Sequence, residues 1–527
     1  MIPSLSPLLA LLVIPLVAIL CIVIGGFPAR VTAAFATALN LFLTLLLLWN
    51  YQPEQGGFAY VMDVPWAHLP GMPQIRLHLG VDGISLPLVF LTAIVSFAAI
   101  VISPSNIRRA SEFYTNILLM SLGAMGAFVS LDLFFLYIFH EFALIPTFLL
   151  IGIWGSQNRQ FAAFQITLYL MAGSLILLAG LIALVMSVPV GDRTFDITLL
   201  QTYLTAHPLD TTTQDIVFPL LLVGFGILVG IFPFHSWAPP GYASAPPAAS
   251  MMHAGVLKKF AIYGLLRIAI PMVHDGFDTF QPLLLALLLG NFLYAGWITL
   301  AQKELPTMLG FSSIMHMGYL FLGLACWNTI GVTGCVVLMV AHGLSAALLF
   351  GLSGEITHRS GENRFSELGG LAQRAPTLAV LFSFASFAAM GVPGLANFAG
   401  ELMVFFGAYG AGTKAIPNTL PMPLLGPTFV FIALYGTMVT AVFQLRAVKA
   451  VFYGAMPTRY EARPAVVSSS GVEQVAALPG MTDTATLTEY APYVLLTFAS
   501  LVIGFMPFLL VHIVEPSVSL LPYMPHP

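Results

Sequence analysis

Apolar stretches of about 20 residues recur along the whole chain, and they constrain the fold before any motif is considered. VTAAFATALNLFLTLLLLWN at residues 31–50 is one example. At ~1.5 Å per residue, such a helix crosses a hydrocarbon core of ~30 Å. No water satisfies a lipid-exposed backbone there, so only helices or a closed barrel span it. A barrel shows short segments of alternating polarity, and the sequence reads as helical spans instead. The expected class is all-α: a polytopic, multi-pass integral membrane protein of about fourteen transmembrane helices. Composition agrees, with 58% hydrophobic and 8% charged residues in 527, against about 25% charged in soluble domains.

The expected spans are roughly 7–26, 30–50, 80–103, 113–131, 133–153, 163–186, 216–234, 249–270, 280–301, 308–326, 331–352, 376–411, 427–452 and 489–512. Span 12 is too long for one straight crossing and holds Gly391-Val392-Pro393-Gly394. Pro393 has no N–H, which frees the carbonyl of Ala389 and breaks the helix. Pro233 interrupts span 7 in the same way. Discontinuous helices in corresponding places of two halves mark ion pathways in transporters.

Lysine and arginine set the orientation. Loops after odd spans carry twelve and loops after even spans four, namely Arg76, Arg193, Arg267 and Lys414. Odd loops are therefore expected to be cytoplasmic and both termini outside. Residues 353–375 are expected along the membrane surface, and the Ser/Thr/Gly-rich stretch 455–488, which includes Ser469, as a cytoplasmic loop. The net charge of -4 says little about partners, since most of the surface faces lipid, and without a basic patch no nucleic-acid partner is expected. Cys21, Cys326 and Cys335 lie in apolar runs without paired spacing and read as packing residues, not metal ligands. Residues 1–26 lack a basic leader and a small-residue cleavage site, so they read as a retained first span.

Ionisable groups at membrane depth are costly and point to function. Glu141 falls near the middle of span 5. Lys258 and Lys259 fall near the middle of span 8, about 100° apart around the helix, so they face different neighbours. His316 and His342 are mid-span, and His253 opens the same run as the lysines; imidazole is the relay group near neutral pH. His140 adjoins Glu141 but reads as packing. Glu401, with Asn397 one turn earlier, follows the span 12 break and suits an exit to the outside. Asp82 opens span 3 and reads as a helix cap. Glu141, Lys259, Lys258, His316, His342, Glu401 and His253 are thus the candidate proton-carrying residues. No CxxC, haem-type His pair or nucleotide loop accompanies them, so no cofactor is expected in this chain.

HEFALIPTFLLIGIWG, AGVLKKFAIYGLLR, FSSIMHMGYLFLG, AHGLSAALLF and GVPGLANFAGE occur in this order, with GVDGISLPLVFLT before them and ITHRSGENRFSELGGL between the last two. Together they resemble the antiporter-like subunit M (chain 4) family of proton-pumping NADH:quinone oxidoreductase, respiratory complex I, over roughly residues 80–450. The resemblance implies fourteen helices, two inverted five-helix repeats and broken helices 7 and 12. The expected organisation is an antiporter-like membrane domain at 1–454, the loop 455–488, and a last span with external tail at 489–527.

The resemblance also implies roles. Glu141 matches the span 5 glutamate, Lys259 the central span 8 lysine, and Glu401 the exit acid; His342 and His358 match family histidines. Quinone reduction elsewhere in the complex would change the charge of Glu141, then the proton affinity of Lys259, and drive a proton along the histidines to Glu401. Partners would be other membrane subunits, the lipid bilayer and protons, with quinone and NADH met only through other subunits, in a bacterial inner (cytoplasmic) membrane. A subunit of an Mrp-type sodium/proton antiporter or of an energy-converting membrane hydrogenase shares the pattern and is the alternative. One key position departs: the family lysine of span 7 is Leu228 here, and the usual Trp-Leu-Pro-Asp-Ala-His is Trp237-Ala238-Pro239-Pro240-Gly241-Tyr242. Lys258 is expected to replace the missing lysine as the partner of Glu141.

Overall fold

The computed structural model of the chain describes residues 6–525, apart from Leu69, Ser105, Gln157, 412–425, 458–465, 468–472 and 475–486. Ser469, Lys414 and most of the expected loop 455–488 lie outside the described residues.

Among the described residues, ten helices are long and apolar enough to cross a membrane, or eleven with one bent pair, rather than fourteen. The difference has local causes. The first helix, Pro7–Val23, is short. Residues 247–272 are helical but wound through two π turns, His253–Leu257 and Leu265–Ala269. Span 12 is two helices, Pro376–Ala389 and Ala396–Ala411. The last span turns by 70° between Glu489–Phe505 and Phe508–Ser519, where Pro507 offers no N–H to the preceding turn.

Caps fix where the helices begin. Asp132 accepts from the N–H groups of Phe134 at 2.9 Å and Phe135 at 3.2 Å to start Leu133–Trp154. Asn328 does the same through Gly331 N, at 2.8 Å, for Thr329–Ser360. Asp82 caps as expected, accepting from Ile84 N at 3.1 Å and Ser85 N at 3.0 Å. Its other oxygen takes Arg267 Nη2 at 2.5 Å. Arg267 is therefore a buried, paired cation and not the loop charge the sequence suggested.

Two further departures are local. Residues 353–360 do not lie apart on the membrane surface; they continue helix Thr329–Ser360, stiffened by the Glu355–Arg359 pair at 2.5 Å and ended by Gly361 at φ +73°. The fold is also not purely helical. Ala59–Ala67 and Ile75–Val81 form an antiparallel hairpin, tied at one edge by Arg76 Nε and Asp63 at 2.7 Å.

Helices Leu305–Ala325 and Thr329–Ser360 run through the interior with nearly every side chain buried. Leu133–Trp154 and Arg159–Met186 lie at the outside and present Phe142, Ile145, Phe161, Phe164 and Leu168 outward. That apolar exposure is what a lipid-facing or subunit-facing wall requires.

Candidate functional site

The site is built where residues 247–272 press against helix Thr329–Ser360. Gly255 and Gly343 meet there, each so close that a Cβ would stand against the other's carbonyl oxygen, at 3.1 Å and 2.7 Å. Small residues let two membrane helices approach to this degree. As a result Lys259 Nζ reaches His342 Nδ1 at 3.0 Å and donates to the Ala254 carbonyl at 2.6 Å. An ammonium facing an imidazole nitrogen shares one proton between two bases.

His342 and His316 stand with ring centroids 5.1 Å apart. Both rings line a small cavity of about 10 Å³, at the lower limit for one water, together with Ser312, Ser313, Ser345 and Ala389 and the apolar Leu309, Ala346, Leu349 and Phe350. His316 Nδ1 is 2.8 Å from the Ser312 carbonyl and Nε2 3.0 Å from the Ala389 carbonyl. Carbonyl oxygens only accept, so the imidazolium satisfies both and the neutral ring only one. The Ala389 carbonyl is the one Pro393 was expected to free. The broken helix thus presents its open end to a histidine.

The break leads on to Glu401. Gly391, at φ +69°, packs against the Glu401 carboxylate, and any side chain at 391 would collide with it. Ser345 Oγ lies 3.3 Å from Asn397 Oδ1, one turn before Glu401 on Ala396–Ala411. Lys259, His342, His316, Ser345, Asn397 and Glu401 are all buried and form a polar line through an apolar interior, with direct contacts from Lys259 to His342, His342 to His316 and Ser345 to Asn397.

Glu141 is not in hydrogen-bond contact with this line. Its carboxylate accepts from Ser174, which lies 3.0 Å from Tyr137 OH, and its side chain is 33% exposed. The expected Lys258–Glu141 partnership is not what the structure holds. Lys258 Nζ donates to Ser313 Oγ at 3.3 Å and lies over the rings of Tyr242 and Trp237, 5.0 and 5.8 Å from their centroids. The cause is direction: its side chain turns toward Ser313, which lines the cavity. His140, read as packing, stacks on Phe260 at 4.3 Å between centroids and places Nδ1 3.8 Å from Glu141. His253 Nδ1 is 3.1 Å from Tyr242 OH. His358 is exposed in the last turn of its helix, away from the line.

Sequence reasoning missed Ser313, Ser345, Ser174 and Tyr242. Ser345 was within reach of it, three residues after His342 on the same helical face. Ser174 and Tyr242 join the site only through tertiary packing. Among the described residues, no group of three or more His, Cys, Asp or Glu side chains is placed to hold a metal ion.

Known proteins share both sequence and architecture. NAD(P)H-quinone oxidoreductase chain 4 1 of Synechococcus sp. (strain JA-3-3Ab) is 33% identical over 430 residues, covering 81% of this chain and 78% of that relative. NADH-quinone oxidoreductase subunit M of Rickettsia felis is 30% identical over 423 residues, 80% and 81% of the two chains. A chain of respiratory complex I from Thermus thermophilus superposes with a TM-score of 0.81 at 28% identity, covering 98% of this chain and 99% of that one. A chain of the Mrp complex from Dietzia sp. DQ12-45-1b shares the fold, with a TM-score of 0.80 at 22% identity and 98% and 97% coverage. A family profile described as "NADH:quinone oxidoreductase/Mrp antiporter, TM" matches residues 130–419. The chain is an integral, multi-pass membrane protein of the NADH:quinone oxidoreductase/Mrp antiporter transmembrane family.

Proposed function

We propose that this chain is the proton-translocating membrane subunit of an NADH:quinone oxidoreductase, the translocase part of an enzyme whose redox centres lie in other subunits. The observation that carries the reading is the buried line from Lys259 through His342, the cavity and His316 to the break at Ala389 and Glu401. Ionisable groups are expensive at membrane depth, and here they are contiguous instead of singly neutralised. Lys259, His342, His316 and Glu401 each gain and lose protons, and the first two share a direct contact.

Glu141 is the input. A carboxylate one-third exposed among Phe142 and Ile145 faces no water in a bilayer. Another membrane subunit covers it in the assembled complex and passes on the charge change that follows quinone reduction. Glu401, beyond the break, is the exit. Lys258 and His253 belong to the same machinery. Residues 1–454 form the translocating domain, 455–488 a cytoplasmic loop, and 489–527 the last span and an external tail. The protein sits in a bacterial inner membrane with both termini outside, and NADH and quinone meet only its partners.

Purification with native partners, followed by reconstitution in vesicles, tests the reading. Quinone reduction by the purified assembly should acidify one side of the membrane. An assembly without redox subunits that exchanges sodium for protons would replace this reading with the Mrp-type one.

A further inference from the structure

Leu228 leaves Glu141 without the lysine that the family resemblance puts opposite it, yet the interior beside it is not purely apolar. His253 and Lys258 sit five residues apart. In an α-helix they would be about 140° apart around the axis, at ~100° per residue. The π turn His253–Leu257 alters that: Lys258 N bonds to the His253 carbonyl, i→i+5, and rewinds the two side chains toward a common side. Single π turns inside helices are uncommon and concentrate at functional sites. Tyr242 touches both residues. Its hydroxyl is 3.1 Å from His253 Nδ1, and Lys258 Nζ lies over its ring, 5.0 Å from the centroid.

Each end of this pair is connected. Lys258 Nζ donates to Ser313 Oγ, which lines the same cavity as His316 and His342. On the other side His140 stacks on Phe260, two residues beyond Lys258, and its Nδ1 stands 3.8 Å from Glu141. That nitrogen and His253 Nε2 are both buried without a hydrogen-bond partner. An unsatisfied buried nitrogen is costly in a structure that only needs packing, and useful where a proton has to be taken up.

We propose that His140, His253 and Lys258 form the proton link from Glu141 to the Ser313 side of the cavity, in place of the absent lysine at 228. Tyr242 is the positioning residue, holding His253 by its hydroxyl and the Lys258 ammonium by its ring face. The proton leaves Glu141 for the His140 ring, passes to His253 Nε2, and is held at Lys258 until the His342–His316 pair can accept it through Ser313; no electron moves in any step. The link rests on the proton-translocating reading above.

The test uses the intact complex in vesicles and reads protons moved per electron, with Lys258→Met, His253→Leu, and Lys258→Met combined with Leu228→Lys. Each single variant should lower the ratio by the whole share of protons that this chain moves. Leu228→Lys should restore part of the loss in Lys258→Met, which a packing defect would not allow. Both single variants pumping at the parental ratio, or a double variant no better than Lys258→Met, overturns the link. Glu141→Gln and Lys259→Ala are run beside them: a parental ratio there too overturns the translocation reading itself, whereas a loss confined to those two sinks only the His140–His253–Lys258 link.

Discussion

His316 shows how much one side chain decides. Its ring joins the Ser312 and Ala389 carbonyls, so its charge and the state of the broken helix are tied together. His316→Leu leaves the Ala389 carbonyl unpaired in an apolar interior, which costs about 1–3 kcal/mol. His316→Gln keeps a donor for that carbonyl but carries no titratable proton. The glutamine variant should therefore keep its melting temperature close to the parent's and lose pumping, whereas the leucine variant should lose both. Parental pumping by His316→Gln would remove His316 from the proton line. The candidate acids, lysines and histidines were legible in the sequence because an ionisable residue in an apolar run stands out. Their partners were not: Ser174, Ser313 and Tyr242 are ordinary residue types that matter only through what packs on them. Lys258 was found but given the wrong partner, because sequence position fixes a residue's depth and not which neighbour its side chain turns to.

At the scale of elements, the breaks were legible and the windings were not. Pro393 announces a free carbonyl at Ala389, and the helix does end there. The π turns at His253–Leu257 and Leu265–Ala269 carry no proline and no glycine pair to announce them. The hairpin was legible in principle, since AYVMDVPWA and IRLHLGV alternate around a Pro/Gly-rich turn, but a reading tuned to long apolar runs passes over two short strands. That hairpin is fastened to helix Ile197–Ala206 by His78 Nδ1 and Asp196 Oδ2 at 2.6 Å. Burial disfavours the charged imidazole, but the hydrogen bond and charge of Asp196 outweigh it and hold His78 above its ordinary pKa. Burial likewise works against the Asp196 carboxylate, and the bonds from His78 and Thr198 outweigh it and hold Asp196 below the usual range. The pair is therefore fully formed between the two shifted values. Its contribution fades as pH rises through the raised His78 value, and again as pH falls through the lowered Asp196 value. Protection of the Leu131 amide, which bonds to the His78 carbonyl at 2.8 Å, should decline on the alkaline side in the parent. His78→Gln should flatten that decline, and an unchanged profile in the variant would show that the pair does not fasten the hairpin.

Across the whole molecule, apolar walls enclose a polar line. Leu305–Ala325 and Thr329–Ser360 keep His316 and His342 away from lipid, and the half-exposed helices Leu133–Trp154 and Arg159–Met186 leave Glu141 partly exposed at the surface. The line runs from Lys259 at the centre to the helix break beside Glu401, and Glu141 stands apart from it at the edge of the protein. A charge change at the edge is then felt in the middle, where desolvation makes electrostatic effects strong. The central claim is that this line moves protons, and the most direct measurement is the number of protons moved per electron in vesicles carrying the complex with Lys259→Ala. The complex should assemble and its ratio should fall well below the parent's. An assembled Lys259→Ala complex that pumps at the parental ratio would contradict it.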